Sequence, residues 1–134
     1  MEPQFLLDTN TASYIIKGTN AQVRQKLARI PIAQLAISAV TEGELRFGAA
    51  RMPTASKLHV LVDDFLIRVT VLAWDSNCAR EYGQLRAALE REGQPMGSLD
   101  MMIAAQALAF QLTLVTHDQS FSRIKRLKLE DWTK

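Results

Sequence analysis

The stretch GSLDMMIAAQALAFQLTLVTHD, residues 97–118, holds a helix, a strand and two acids in one run. Ser98 is a good N-cap residue, and residues 99–111 behind it are nearly all apolar, so a helix capped by Ser98 is expected there. TLVT, residues 113–116, then reads as a short buried strand. Asp100 falls in the first turn of that helix, and Asp118 lies two residues beyond the strand.

The rest of the chain repeats this alternation. QFLL, residues 4–7, reads as a short buried strand ending at Asp8, and TNTASYIIKG as a helix with Gly18 as its stop signal. A helix is expected from Ala21 to Arg29, ahead of Pro31. LAIS, residues 35–38, is the next apolar run. Residues 39–50 look helical, and another helix follows Pro53 through Phe65. VTVLA, residues 69–73, is β-branched at alternate positions and reads as a strand. A long helix from Asp75 to Glu92 stops at Gly93, QPMG is a loop, and LKLE is a last short strand. Strands alternating with helices imply an α/β fold, with a short central parallel sheet flanked by helices on both faces. Ligands of open α/β sheets sit outside the carboxyl ends of the strands. No repeat, low-complexity tract or linker interrupts the pattern, and 134 residues suit one domain over 1–134.

Composition narrows the class further. Hydrophobic residues make up 48% and charged residues 22%, as in ordinary globular proteins. No apolar run approaches the roughly 20 residues that span a bilayer. The start MEPQFLLDTN has no basic region before a long apolar stretch, so no secretory signal is read there. Cys78 is the single cysteine, which excludes an intramolecular disulfide and a thiolate zinc site. A cytoplasmic location and no membrane partner are expected. The net charge is +2, and Arg123, Lys125, Arg126 and Lys128 cluster in one segment. That cluster either meets phosphates or is solvated surface.

Four acids stand where such a fold places a site. Asp8 and Asp118 follow strands, and each could instead cap the helix after it. Glu44 shares a helical face with Val40 and Phe47, whereas Glu42 and Arg46 form an outward i, i+4 pair. A carboxylate turned toward apolar neighbours must be paired, protonated or bound to a cation. A salt bridge to Arg86 is the competing explanation. Asp100 shares a face with Ile103, Ala104 and Ala107, where the helix dipole helps keep it ionised. Four converging carboxylates would raise one another's pKa. A bound divalent cation resolves that conflict, and all-oxygen ligation selects a hard ion such as Mg²⁺ or Mn²⁺.

At these residues the chain resembles the PIN-domain family, in particular the VapC-type toxins of bacterial toxin–antitoxin pairs. LLDTN is similar to the family's first motif, with Asp8 the metal-binding acid and Thr9 and Asn10 its companions. ISAVTEGELRFGA resembles the second and supplies Glu44, and GSLDMMIAAQAL resembles the third and supplies Asp100. LVTHDQSFSRIKRLKLEDW resembles the closing segment. There Asp118 is taken as the fourth acid in a supporting role, although some relatives place that acid where this chain has Ser120. The resemblance implies a PIN fold and metal-dependent ribonuclease activity, with metal held by Asp8, Asp100 and Glu44 and with Asn10 and Thr116 in support. It also implies a cognate VapB-like antitoxin, homodimerisation and an RNA substrate, with tRNA suggested by the relatives that carry DTN.

Several residues are read as structural. His59 belongs to a surface helix, and His117 is assigned a surface or supporting role. Cys78, Trp74 and Trp132 read as packing groups, and Met101 and Met102 as core or subunit interface. The TASYII helix either buries a face in the monomer or contributes to an antitoxin groove. Two rival functions remain. A phosphoacceptor signalling domain would need an acidic pair after the first strand and a lysine near the last, which Asp8 alone and THDQSF do not supply. A PIN-like binding module without catalysis is the other.

Overall fold

The computed structural model describes residues 2–134. Its elements are β1 (Phe5–Leu7), α1 (Thr9–Lys17), α2 (Ala21–Leu27), β2 (Leu35–Ser38), α3 (Ala39–Ala50), α4 (Leu58–Arg68), β3 (Thr70–Leu72), α5 (Ser76–Arg91), α6 (Ser98–Phe110), β4 (Thr113–Val115) and β5 (Leu129–Glu130). Short 3-10 turns cover Ile32–Gln34 and Gln119–Arg123. All strand pairs are parallel, in the order β3-β2-β1-β4-β5. The α/β expectation holds, with five parallel strands and six helices.

Side-chain alternation along β1 divides the core. Leu6 and Leu7 are fully buried and point to opposite faces. Leu6, Ala36 and Leu114 pack with Leu85, Leu89, Ile103 and Ala104 of α5 and α6. On the other face Leu7, Ile37 and Val115 pack with Ala12, Val23, Leu45 and Val62, from α1 to α4. Truncating either leucine to alanine would cost about 3 kcal/mol. The chain leaves β1 toward β2 and β3, then returns to β4 on the other side of β1. The strand order therefore reverses between β1 and β4, and the crevice at that reversal is where such sheets hold ligands.

Local chemistry explains the element ends, including those that differ from expectation. Gly18 closes α1 at φ 64°, the left-handed conformation that glycine adopts without a Cβ penalty. Helix α2 ends at Leu27, two residues short of Arg29, as Ala28 closes its last turn. Helix α4 starts only at Leu58, because Pro53 to Lys57 form turns, and it runs on to Arg68. Helix α6 is capped by Gly97 rather than Ser98, with no side-chain cap bond, and Ser98 is already helical. It ends on Gln111 at φ 57°, a conformation that costs a non-glycine residue roughly 1 kcal/mol.

One face was misassigned by periodicity. The buried face of α3 is Thr41, Leu45 and Ala49, while Phe47 is 65% exposed. The helix is only weakly amphipathic, so single apolar residues are poor guides to its inner side. Glu44 lies beside that inner face, half-buried, rather than in line with Phe47.

Candidate active site

Asp8 is the most firmly held acid. It follows β1 and caps α1, so its Oδ1 accepts the Thr11 amide at 2.8 Å. Its Oδ2 accepts the Thr116 hydroxyl at 2.6 Å, and its own amide continues the sheet ladder to the Val115 carbonyl. The carboxylate is thus fixed across the β1–β4 junction while only 6% exposed. Capping and site placement are therefore not alternatives for this residue.

Thr116 joins two acids. Besides donating to Asp8, its oxygen accepts the Asp118 amide at 3.0 Å. Asp118 itself is exposed and caps the 3-10 turn, accepting the Ser120 amide at 2.9 Å. Hydrogen bonds from Ser120, and then the charges of Arg123 and His117, hold its carboxyl below the usual range. A cleft of about 190 Å3 opens here between Thr116, Asp118, Ser122, Glu130 and Asp131.

Glu44 reaches the same edge from α3. Its Oε1 accepts the Thr9 hydroxyl at 2.7 Å, and the same hydroxyl lies 3.3 Å from the Thr41 hydroxyl. Arg86 does not pair with it; that guanidinium bonds Glu90 and Tyr82 on its own helix. The salt-bridge explanation for Glu44 therefore fails. Glu42 and Arg46 do form the outward pair, at 2.8 Å.

Asp100 is held differently. In the first turn of α6 it makes no side-chain hydrogen bond among the described residues. Its carboxyl is pushed above the usual range, first by burial and then by the charges of Asp118, Asp8 and Glu44. The other three acids therefore lie close enough to Asp100 to act on it at the carboxyl edge of the sheet. Among the described residues no three of these acids close on a single ion position. The donor set nevertheless fits a hard divalent cation. It is all oxygen, and Asp100 brings a partly desolvated carboxylate that no protein donor satisfies.

Asn10 is exposed in the first turn of α1 and makes no side-chain hydrogen bond among the described residues. Two features escaped the sequence reading. One is the grip of Thr9 on Glu44, for which the only sequence signal is a hydroxyl directly after Asp8. The other is a tail cluster in which His117 Nδ1 lies 2.9 Å from Asp131 Oδ2 and 3.1 Å from the Thr133 hydroxyl. Burial opposes ionisation of Asp131, but hydrogen bonds from Thr133 and His117 outweigh it and draw its carboxyl down to about 2. No sequence periodicity links positions that far apart.

The remaining assignments are structural. Cys78 is buried and its thiol is pushed up by burial, as befits a packing residue rather than a nucleophile. Trp74 donates to the Met102 carbonyl at 2.9 Å and stacks edge-on with Tyr82, and Trp132 packs edge-on against Phe5. Ile15 and Ile16 of α1 line an apolar groove with Leu27, Ile32, Leu61 and Phe65. No helix of the described residues is long and apolar enough to cross a membrane.

Residues 5–127 match the PIN domain family model. The tRNA(fMet)-specific endonuclease VapC of Shigella flexneri is 36% identical over 131 residues, 97% of this chain and 98% of that protein. The solved structure of DNA-bound VapBC from Salmonella typhimurium matches with a TM-score of 0.89 at 35% identity, covering 97% of this chain and 98% of that one. VapBC2 from Rickettsia felis, bound to a fragment of its promoter DNA, gives 0.87 at 32% identity, covering 96% and 98%.

Proposed function

The chain belongs to the PIN-domain family as a VapC-type endoribonuclease, and from that premise we propose that Asp8, Glu44 and Asp100 hold Mg²⁺ or Mn²⁺ for hydrolysis of RNA. Asp118 acts beside them as a supporting acid. The observation that carries this reading is the state of Asp100, desolvated, without a hydrogen bond and raised by the other three acids.

The cation, when bound, polarises the scissile phosphate and makes an attacking water more acidic. Everything else falls to the chain. Asp8 offers a carboxylate whose orientation is already set by Thr11 and Thr116. Glu44, steadied by Thr9 on one oxygen, accepts the proton of the attacking water through the other. The water oxygen bonds to phosphorus as the bond to the leaving ribose oxygen breaks, and that oxygen takes up a proton from solvent to leave as a hydroxyl. Thr116 keeps Asp8 and the Asp118 backbone in register during this step.

The substrate of this reading is RNA, and specifically tRNA, the substrate named for the Shigella flexneri relative. Cleavage would inhibit translation in the cytoplasm. The partner is a cognate VapB-like antitoxin, because relatives of this fold are solved as VapBC toxin–antitoxin assemblies. Homodimerisation, implied by the family resemblance, belongs to the same reading.

Incubating the protein with total tRNA in Mg²⁺, Mn²⁺ or EDTA, beside Asp8→Ala and Asp100→Ala, tests the reading. Cleavage that needs metal and is lost in both variants is expected. Cleavage that survives both substitutions would move the chemistry elsewhere.

A further inference from the structure

Away from the acids, the outer face of α5 and the segment 123–128 form a continuous basic surface. Residues 119–128 contain Arg123, Lys125, Arg126 and Lys128 and no acid. Three grooves meet at Arg126. One of about 390 Å3 runs past Glu81, Gln111 and Lys128. Another of about 170 Å3 lies between α5 and Arg123, Lys125 and Arg126, with Glu92 at its rim. The third, about 740 Å3 and wide open, crosses α5 over Arg80, Gln84 and Arg91.

The cations here are largely uncommitted. Arg80, Arg91, Arg123, Lys125, Arg126 and Lys128 are all exposed. Of these six, only Arg126 is paired with a carboxylate among the described residues, Glu81 at 3.1 Å, and its side chain remains 61% exposed. Arg80 bonds Asn77, and Arg123 donates to the Pro95 carbonyl. Arg80, Gln84 and Arg91 share one helical face, and Arg80 and Arg91 lie about 16 Å apart along the axis at 1.5 Å per residue. Cations at both ends of such a span suit an extended polyanion better than a single anion. Arg123 closes the gap to the acids, since its charge acts on Asp118.

We propose that the phosphates of the RNA substrate follow this surface, from Arg123 beside Asp118, past Lys125 and Arg126, to Arg80 and Arg91 on α5. The proposal rests on the ribonuclease reading and adds where the RNA lies away from the bond that is cut. Continuity with the acid edge favours RNA over an acidic protein segment as the occupant.

Binding of total tRNA to the full chain tests it, in an Asp8→Asn parent that retains a capping side chain but cuts poorly. Affinity is measured across a range of salt concentrations. The parent is compared with a derivative carrying Arg80→Gln, Arg91→Gln and Lys125→Gln. A control carries Lys17→Gln, Lys26→Gln and Arg29→Gln, on α1, α2 and the turn after α2, on the other sheet face. Each lost phosphate contact lowers the slope of log K against log salt by about 0.7 to 0.9. The first derivative should therefore lose about two units of slope and more than tenfold in affinity at low salt, with the control near the parent. Equal changes in both derivatives, or in neither, would overturn the track. So would unchanged tRNA binding together with lost binding of a poly-glutamate peptide, which would assign the surface to an acidic protein. A parent that binds no tRNA at all would overturn the ribonuclease reading itself, before any of these cations is replaced.

Discussion

Asp8 at the end of β1 and Asp100 at the start of α6 reach the same edge of the sheet but are held in opposite ways. Asp8 accepts a backbone amide and a threonine hydroxyl, one on each oxygen. Asp100 has burial and three neighbouring negative charges, and no donor to offset them. The fold has therefore finished one corner of the site and left the other electrostatically unfavourable. A cation is the group that would do for Asp100 what Thr11 and Thr116 do for Asp8. The difference separates stability from the proposed function: under that reading the first corner contributes to both, whereas the second costs stability unless a cation offsets its charge.

The sharpest break of this contrast is Asp8→Ala. It removes a helix cap and the acceptor of Thr116, so unfolding should cost about 2 kcal/mol less, and cleavage should fall by at least about a hundredfold. Asp8→Asn should recover most of the stability and little of the activity. Denaturant titration beside tRNA cleavage separates the two, and an unstable but active Asp8→Ala would break the assignment.

Thr116→Val comes next. It leaves Asp8 Oδ2 and the Asp118 amide without their partner, a loss of about 1–2 kcal/mol, and it should weaken cleavage about tenfold. Thermal unfolding reads the first effect, and a variant as stable as wild type would show that Asp8 is held without this hydroxyl. Thr9→Val sharpens the contrast on the Glu44 side. It should cost about 1 kcal/mol or less and lower kcat several-fold with little change in KM. An effect confined to KM would remove Thr9 from the reacting centre.

The smallest effect tests the tail beside Asp118. Asp131 has a folded pKa drawn down to about 2, so its contribution is present above the ordinary carboxylate range and fades as pH falls toward 2. Asp131→Asn should cost about 1 kcal/mol at neutral pH, discounted because the partner His117 is 57% exposed. The gap from wild type should close on acidification. A gap that persists at pH 2 would mean the loss is packing rather than charge.

Much of this was legible in the chain because its signals are local. Residues 39–50, expected as one helix, form α3 with both ends matching, and Gly18 closes α1 where a left-handed residue is needed. Asp8 and Asp118 after strands, and Asp100 in the first turn of its helix, are placed by equally local signals. The order β3-β2-β1-β4-β5 was not legible, since pairing Leu7 with Val115 is a long-range choice. Nor were the inner face of α3, where apolar residues lie on both sides, and the tie of His117 to Asp131 and Thr133. The Thr9–Glu44 bond needed α3 and α1 in place before a hydroxyl could be matched to its carboxylate.

The central claim concerns Asp100 as a cation ligand, and thermal unfolding of wild type and Asp100→Asn with and without Mn²⁺ tests it most directly. The folded pKa of Asp100 lies above its unfolded value, so the unfolded chain ionises first as pH rises and the folded carboxylate costs stability at neutral pH. Without metal, Asp100→Asn should therefore unfold a little higher than wild type, by about 2 °C. With Mn²⁺, wild type should rise past the variant, which should gain little. A variant that is less stable without metal, or that gains as much from Mn²⁺ as wild type, would contradict the account.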